Sequence, residues 1–381
     1  MNFELTHEQQ AIFDVARSFA IDKLVPHALE WDQTRTFPAE VIRELAGLGM
    51  AGIVVSEEYG GSALTRLDAA LIFEALSYGC PVVASFVSIH NMCAWMIDSF
   101  GLPALRARLL PKLVTADIFA SYCLTEPDSG SDAAALTTRA ERDGDDFVLT
   151  GTKSFISGAG VSGVYVVMAR TGGPGAGGIS AIVVESGTPG LHFGANERKM
   201  GWNAQPTAQV QFDKCRVSRT NLLGEAGKGF AYAMQALDGG RLNIAASALG
   251  AAQFALDKTL AYMKDRKAFD KSLDQHQALR FRLADMETAM QAARVFLRQA
   301  AWKLDRSTPD ATKFCAMAKR FVTDAAFNVA NDALQLHGGY GYLVDFGIEK
   351  IVRDLRVHQI LEGTNEIMRL VTARELLSEK T

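Results

Sequence analysis

The chain has 381 residues, which is enough to bury a large core and to form two or three packed units. Its 39 basic and 43 acidic residues give a net charge of −4, so the overall charge does not favour nucleic acid or an anionic membrane as a partner. The five cysteines include no C-x-x-C pair, which argues against a disulfide framework or a zinc site and favours a reducing compartment.

The first part of the chain, residues 1–119, has helical periodicity. Thr6 and Gln9 have the spacing of a capping box, and no charged and apolar leader stands before them. Two amphipathic faces follow, formed by Ile12, Val15, Ala16 and Phe19 and then by Leu67, Leu71, Ile72 and Leu76. We expect a cytoplasmic protein, or one of the mitochondrial matrix if a leader has been removed.

The pattern changes to short strands in residues 120–225. Strands are predicted at Phe147–Leu149, Val164–Met168, Ile179–Val184 and Ala208–Asp213, and the glycine-rich segment 171–178 is predicted to be a loop between two of them. Helical periodicity returns in residues 226–381. The sequence therefore predicts an α+β fold with an N-terminal helical domain, a central β-barrel-like domain and a C-terminal helical bundle.

Glu362 is the best candidate for a catalytic base. It lies in an apolar stretch beside Ile360 and Leu361, just before a helix for which Thr364 is the predicted N-cap. Burial would raise the pKa of this carboxyl group and the helix N-terminus would lower it, a balance that suits removal of a carbon-bound proton near neutral pH. The alternative is that Glu362 merely caps a surface helix, and these residues alone leave both interpretations open.

The segment Tyr122–Asp132, YCLTEPDSGSD, resembles the acyl-CoA dehydrogenase family. Three further segments match the family pattern in the right order, and they look most similar to the branch that acts on isobutyryl-CoA: Ser88–Gly101, Phe155–Gly160 and His358–Gly363. The resemblance extends over essentially the whole chain. It implies the fold of that family, in which the C-terminal domain is a four-helix bundle.

The resemblance also implies the chemistry. The family carries FAD, removes hydrogens from the α and β carbons of an acyl-CoA thioester and passes electrons to an electron-transferring flavoprotein. Glu362 then becomes the base, and its own backbone N–H, with a ribityl hydroxyl of the flavin, would stabilise the developing enolate oxygen. By the same resemblance Gly363 contacts the substrate, whereas Thr364, Asn365 and Glu366 contact the cofactor.

The segment Tyr122–Asp132, which follows the first predicted domain, is expected to face the flavin. Its cofactor contacts are expected from Tyr122, Cys123, Leu124, Thr125 and Ser131. Thr125 can donate a hydrogen bond to a heteroatom of the flavin ring. The alternative is a turn-rich sheet edge, because Pro127, Ser129 and Gly130 are common turn residues.

A second flavin-facing segment is expected at Phe155, Ile156 and Ser157. Phe155 would pack on the flavin and Ser157 would form a hydrogen bond with it. Many members of the family have tryptophan where this chain has Phe155. The alternative is that this phenylalanine is an ordinary core residue.

Further cofactor contacts are expected from a neighbouring subunit. The segment with Arg266 and Phe269 resembles the part of the family that reaches the neighbour's FAD, and a guanidinium group matches pyrophosphate oxygens. An exposed Arg-Lys pair can equally be a solvated surface. Other cofactor contacts are expected from His276, Gln277, Gln335, Leu336, His337, Gly338 and Gly339. The last five also suit a helix C-cap, and both interpretations can hold together.

The substrate contacts are expected in a segment that resembles the family's CoA-binding turn, Asp238, Gly239, Gly240 and Arg241. Ser131 and Arg374 are weaker candidates for the same role. We predict no metal site. His337 and His358 are predicted to be structural, because the chemistry needs neither a metal nor a histidine base.

Three functional hypotheses follow. The first is an FAD-dependent dehydrogenase for a short branched acyl-CoA, isobutyryl-CoA in valine breakdown, assembled as a homotetramer. The second is a relative with altered chemistry, such as an oxidase or a dehydrogenase for 2-methylbutyryl-CoA or another short acyl-CoA. The third is a binding protein without turnover, against which the retained Glu362 argues.

Overall fold

The structure is a computed structural model that describes residues 4–378. Helices make up its N-terminal part: α1 (His7–Phe19), α2 (Ala28–Thr34), α3 (Ala39–Ala46), α4 (Arg66–Ser77), α5 (Pro81–Phe100) and α6 (Pro103–Val114). The predicted capping box is present at the start of α1, where the Thr6 hydroxyl accepts from the backbone of Gln9 at 3.2 Å. The predicted face of α1 is wrong at Val15, which is 49% exposed, because the helix turns Phe13 toward the core instead.

The central part is a sheet. Its strands are β1 (Ala120–Cys123), β2 (Arg139–Asp143), β3 (Asp146–Ser157), β4 (Val164–Arg170), β5 (Ile179–Glu185), β6 (Leu191–Phe193), β7 (Thr207–Ser218) and β8 (Leu222–Leu223). The sheet order is β6-β7-β3-β2-β4-β5-β8, and β1 pairs with β4 in parallel. The four strands predicted from the sequence are found within β3, β4, β5 and β7. The glycine-rich segment 171–178 connects the antiparallel strands β4 and β5, as predicted.

Strand β3 contains a β-bulge that exposes the side chain of Phe155. Lys153 pairs with Val210 and Ile156 pairs with Ala208, so the two residues between Lys153 and Ile156 lie opposite only one residue of β7. A bulge of this kind redirects side chains and occurs often beside functional sites. Here Phe155 adopts a left-handed conformation, with φ of 59°.

Helices return in the C-terminal part: α7 (Gly229–Asp265), α8 (Gln277–Asp305), α9 (Ala311–His337), α10 (Ile348–Arg356) and α11 (Asn365–Ser378). A small hairpin, β9 (Lys267–Ala268) and β10 (Lys271–Ser272), separates α7 from α8. The long helices α7, α8 and α9 pack on each other, and α10 and α11 pack against α9. The predicted α+β fold, with helical N- and C-terminal regions around a central sheet, is confirmed.

The main hydrophobic core is shared by the N-terminal and C-terminal helices. Residues of α1, α3, α4 and α5 belong to the same buried cluster as residues of α7, α8 and α9. Helix α7 comes so close to α4 that a Cβ atom on Gly250 would lie 1.9 Å from the carbonyl oxygen of Glu74. The helices on the two sides of the sheet thus share one core and do not form separate cores of their own. The domain limits 1–119, 120–225 and 226–381 stay predictions.

The cysteines and the helices of the described chain bear on disulfides and membrane spans. All five cysteines are buried and unpaired. In the range 4–378 there is no helix with the length and apolar character needed to cross a membrane.

Candidate active site

Glu362 lies between α10 and α11, in a loop with an unusual backbone. Glu362 and the following Gly363 both have left-handed φ angles, 54° and 92°. For a residue other than glycine this conformation is uncommon, and such strain is found preferentially at functional sites. Thr364 is the N-cap of α11, as predicted, because its Oγ1 accepts from the backbone N–H of Ile367 at 3.2 Å.

The Glu362 carboxylate is directed into the protein toward α7. A Cβ atom on Gly240 would lie 2.4 Å from Oε2 of Glu362 and 3.2 Å from Sδ of Met92, so the absent side chain at position 240 provides the space for the carboxylate. Oε2 is buried and has no hydrogen-bond partner among the described residues. An unpartnered buried carboxylate is costly to maintain and is not what a surface helix cap looks like.

The environment tunes this carboxyl group. Burial raises the pKa of Glu362 to about 7, while the positive charges of Lys319 and Arg241 act in the opposite direction. The structure differs from the sequence-based expectation in two details. Ile360, which was expected to contribute to the burial, is 49% exposed, and the opposing positive charge comes from two side chains rather than from a helix terminus alone.

The same two cations hold the carbonyl groups of the loop. Nε of Arg241 donates to the carbonyl oxygen of Glu362 at 3.4 Å, and Nζ of Lys319 donates to that of Gly363 at 2.8 Å. The backbone N–H of Glu362 has no acceptor within residues 4–378. This free donor beside the carboxylate fits the predicted role of stabilising a developing oxyanion.

The segment Asp238–Arg241 is helical, which corrects the expectation of a turn. It lies inside α7 and is buried, because its small residues allow other groups to approach the helix. Asp238 Oδ1 accepts from Arg241 Nη1 at 2.7 Å, and the hydroxyl of Thr312 donates to Asp238 Oδ2 at 2.7 Å. A Cβ atom on Gly239 would lie 2.5 Å from Nη1 of Arg66. The segment thus supplies the wall behind Glu362.

Tyr122 connects the sheet to this wall. Its hydroxyl is buried without a hydrogen-bond partner among the described residues. Burial raises the pKa of Tyr122, and the charge of Glu362 contributes in the same direction, so the two groups lie within electrostatic reach. Cys123, by contrast, is fully buried in the sheet core, so only its backbone can reach a ligand.

A buried ion pair that the sequence did not reveal supports the segment after Tyr122. Nζ of Lys153 donates to Oε1 of Glu126 at 2.8 Å and to the carbonyl oxygen of Leu124 at 3.0 Å. Burial alone would raise the pKa of Glu126, but Lys153 and several hydrogen bonds hold it at about 2. The backbone of Ser154 also donates to the carbonyl oxygen of Thr125 at 2.9 Å. The two segments predicted to face the flavin are therefore tied together.

The side chains of the second segment differ in exposure. Phe155 lies on the bulge of β3 and is 66% exposed, so it is not an ordinary core phenylalanine. Ile156 is buried in the sheet core. Ser157 is partly buried, and its hydroxyl accepts from Nε2 of Gln205 at 2.7 Å. Phe155 and Ser157 remain the cofactor candidates here, because Ile156 offers only its backbone.

A second region lies at the far end of α9, where the helix ends at His337. Gly338 is the C-cap with φ of 59°, as the sequence suggested. A cavity of about 600 Å³ is lined by Arg266 and by all five residues Gln335–Gly339. The guanidinium group of Arg266 lies over the ring of Tyr340, 5.4 Å from its centroid, and no carboxylate among the described residues pairs with it. The structure thus brings these predicted contacts together around one cavity, whose lining does not include Glu362.

The neighbouring predicted contacts lie on the hairpin beside this cavity. Phe269, in the turn between β9 and β10, is 90% exposed and left-handed, with φ of 54°. Nε2 of His276 lies 3.0 Å from the carbonyl oxygen of Ala268, and Gln277 is the first residue of α8. Phe269 is available to a neighbouring molecule, whereas His276 supports the hairpin.

The other candidates are more dispersed. Asn365 is buried and bonded within the protein, and Glu366 is exposed and paired with Arg369. Ser131 is exposed, and Arg374 lies on an exposed part of α11 beside Glu375. These contacts stay predictions.

His337 and His358 are buried, as expected for structural residues. The ring of His358 contacts the carbonyl oxygen of Ile244 at 3.1 Å, and that of His337 contacts the carbonyl oxygen of Ala333 at 2.8 Å. Residues 4–378 contain no group of three side chains placed to hold a metal ion.

Lys319 is a buried residue beside the Glu362 loop that the sequence interpretation missed. It is fully buried in α9, on the same face as Cys315, Val322 and Ala326. A lysine at this point of an apolar stripe is the signal that could have drawn attention to it, because buried lysines need a specific reason.

Comparison with known proteins agrees with the site geometry. Three family descriptions match the chain: the N-terminal domain of acyl-CoA dehydrogenase at residues 6–117, the middle domain at 121–215 and the C-terminal domain at 227–377. The chain belongs to the acyl-CoA dehydrogenase family. It is therefore an FAD-dependent acyl-CoA oxidoreductase by family.

Individual relatives refine this placement. The chain is 51% identical to isobutyryl-CoA dehydrogenase, mitochondrial, of Bos taurus over 98% of its length and 90% of that protein. It is 50% identical to the protein of the same name in Dictyostelium discoideum, again over 98% and 90%. Butyryl-CoA dehydrogenase from Megasphaera elsdenii has a similar solved structure, with a TM-score of 0.96 and 39% identity over 99% of this chain and 100% of that one.

The residues present fit the FAD of an acyl-CoA dehydrogenase. The exposed ring of Phe155 on a strained bulge offers a stacking surface. Arg266 has no carboxylate partner among the described residues, and Cβ atoms on Gly338 and Gly339 would meet nothing within 4 Å. A cation beside open glycine backbone suits a pyrophosphate group.

Proposed function

We propose that the chain oxidises isobutyryl-CoA to methacrylyl-CoA in valine catabolism, with Glu362 removing the α-proton. The observation that carries the proposal is the Glu362 carboxyl group, whose Oε2 is buried without a hydrogen-bond partner among the described residues and whose pKa is raised to about 7. A base with a pKa near the working pH is the most effective one. The choice of isobutyryl-CoA is supported by two relatives of that name at 50–51% identity.

The chain's own residues account for the proton step. Gly240 leaves room for Glu362 to reach the α-carbon of a bound thioester, and the free N–H of Glu362 donates to the thioester oxygen as negative charge develops there. Bound FAD supplies a hydride acceptor for the β-carbon. Met92 and Tyr122 belong to the same hydrophobic cluster, and apolar surroundings strengthen these electrostatic interactions.

The role of Glu362 is tested by Glu362→Gln. Glutamine has nearly the same shape but cannot accept the proton, so we expect a folded, FAD-containing protein whose turnover falls by about 10²–10⁴-fold. The matched control is Glu141→Gln, which changes an exposed carboxylate on β2 and should leave turnover unchanged. Turnover near that of the native protein in folded, FAD-loaded Glu362→Gln would rule out this base.

The acyl preference is tested with a panel of esters and an electron-transferring flavoprotein as acceptor. We expect the highest kcat/KM with isobutyryl-CoA. Discrimination against butyryl- and 2-methylbutyryl-CoA should be about tenfold, since one methyl group is worth only about 1–3 kcal/mol. Octanoyl-CoA should be much poorer. An optimum at octanoyl-CoA would reject the branched-chain proposal and leave the dehydrogenase chemistry intact.

Assembly as a homotetramer belongs to the same proposal. The cavity at Arg266 and Gln335–Gly339 is separate from Glu362, as expected if it receives a cofactor bound mainly by a neighbouring subunit. Helix α8 also exposes Phe281, Val295 and Trp302, each 47–60% accessible. Phe281 and Val295 are fourteen positions apart and Val295 and Trp302 are seven apart, so the three side chains lie on one face of α8 that is suited to helix pairing between subunits.

The physiological electron acceptor is proposed to be an electron-transferring flavoprotein, as the family resemblance implies. The five unpaired cysteines fit a reducing compartment, either the cytoplasm or the mitochondrial matrix.

A further inference from the structure

Lys319 is a buried cation that the proton step described above does not use. Its side chain extends from the middle of α9, is 0% exposed and donates to Gly363 O at 2.8 Å and to Oδ1 of Asn365 at 2.9 Å. No carboxylate in residues 4–378 lies within salt-bridge distance of it. Burying an ammonium group without a direct counterion is expensive, so an apolar residue would serve the packing of α9 better.

The partners of Lys319 are the two residues that frame the base. Gly363 follows Glu362, and Asn365 is the first residue of α11. Asn365 is itself fixed, since its Nδ2 donates to Oδ1 of Asp324 at 2.7 Å and to the hydroxyl of Thr323 at 3.0 Å. Lys319 therefore joins the strained loop to a rigid network on α9.

The charge of Lys319 acts on the base as well. Burial raises the pKa of Glu362, and Lys319 is the foremost charge that lowers it. Burial lowers the pKa of Lys319 to about 8, and Glu362 is the foremost charge that raises it. The other charged groups that act on Lys319 are Arg241 of α7, Asp324 of α9 and Glu366 of α11.

We propose that Lys319 is a positioning residue of the dehydrogenation: its hydrogen bond to the carbonyl oxygen of Gly363 fixes the left-handed Glu362–Gly363 loop, and its charge favours the ionised form of the Glu362 carboxyl group. This inference rests on the proposed role of Glu362 as the base. It assigns two separable functions to one side chain, orientation through the hydrogen bond to Gly363 and electrostatic tuning through the ammonium charge.

The test uses three variants of the FAD-loaded enzyme. Lys319→Met removes the donor and the charge, Lys319→Gln keeps a donor without the charge, and Lys319→Arg keeps the charge. We measure kcat and KM for isobutyryl-CoA across pH, together with FAD content and Tm. The control is Lys303→Met, which removes a partly buried lysine that is paired with Asp310 on another part of the bundle.

Loss of the charge should raise the midpoint of the acid limb of kcat by about one pH unit or more in Lys319→Met and Lys319→Gln, since a nearby opposite charge shifts a carboxyl pKa by about 1–3 units. Lys319→Met should also lose about 10–100-fold in kcat at the pH optimum, with KM changed much less. Lys319→Arg should restore the acid limb. Lys303→Met should lower Tm and leave the acid limb in place.

An acid limb at the native position in Lys319→Gln would overturn the inference, as would an equal upward shift in Lys319→Arg. If Lys319→Met does not fold, Lys319→Gln and Lys319→Arg still decide the matter. The outcome is distinguishable from failure of the proposed function. An active Glu362→Gln rejects the base itself, whereas an inactive Glu362→Gln with an unshifted Lys319→Gln rejects only the role of Lys319.

Discussion

Replacing Gly240 by alanine should separate activity from stability. The added Cβ would lie 2.4 Å from Oε2 of Glu362 and 3.1 Å from its carboxyl carbon, against an ordinary contact of 3.4 Å or more. The carboxylate must therefore retreat by about 1 Å, a displacement that can cost about 10²-fold in rate. In a helix interior, alanine is also favoured over glycine by about 0.5–1 kcal/mol. We expect kcat to fall about 100-fold while Tm stays level or rises.

The assay is the steady-state rate with isobutyryl-CoA, measured beside FAD content and thermal unfolding. Gly239→Ala is the matched comparison, since it has the same helix effect but pushes against the flexible end of Arg66 instead of Glu362. Its kcat should fall by less than about tenfold. A Gly240→Ala enzyme with native kcat would show that the position of Glu362 is not set by the space at α7, and a large drop in Tm would show that other contacts fill this site.

Three further predictions address charge and assembly. The folded protein holds the pKa of Glu362 near 7, above its ordinary value of 4.5, so the folded state binds more protons between these values and stability falls as the pH rises through them. Glu362→Gln should therefore exceed the native protein in stability by about 3 kcal/mol at pH 8 and by nothing at pH 4, as measured by denaturant unfolding. Arg266→Ala should release FAD on dilution and shift sedimentation toward smaller species, whereas a variant that keeps stoichiometric FAD as a monomer would contradict shared binding. Lys153→Met should cost about 3–5 kcal/mol, since it leaves Glu126 buried without its cation, and the double variant with Glu126→Gln should recover part of that loss.

Local signals were sufficient for most of the elements and for choosing Glu362 as the candidate base. The capping box at Thr6, the N-cap at Thr364 and the strands within β3, β4, β5 and β7 all depend on residues close in sequence. Glu362 could be singled out because a carboxylate in an apolar stretch before a helix is itself a local pattern. The family resemblance then supplied the chemistry that the local pattern left open.

The features that escaped prediction depend on distant residues. The family resemblance described the segment that contains Gly240 as a turn. The structure shows that α7 continues through this point, where the base approaches from more than a hundred residues away. Lys319 is 43 positions before Glu362, and nothing near it in sequence reveals the loop that it holds. Leu370 and Leu377 recur at helical spacing in α11, yet they are 64% and 87% exposed, because periodicity does not tell which side of a helix meets the core.

The shared helical core also constrains how the chain folds. Helix α4 packs against α7, yet the whole sheet lies between them in sequence. At about 5–20 residues per second, a ribosome needs on the order of 10–30 s to make the roughly 150 residues that separate them. During that time the apolar faces of the first helices have no final partner. Nascent chains of this protein should therefore depend on chaperones until α7 emerges, and truncation before it should give aggregates instead of a folded N-terminal fragment.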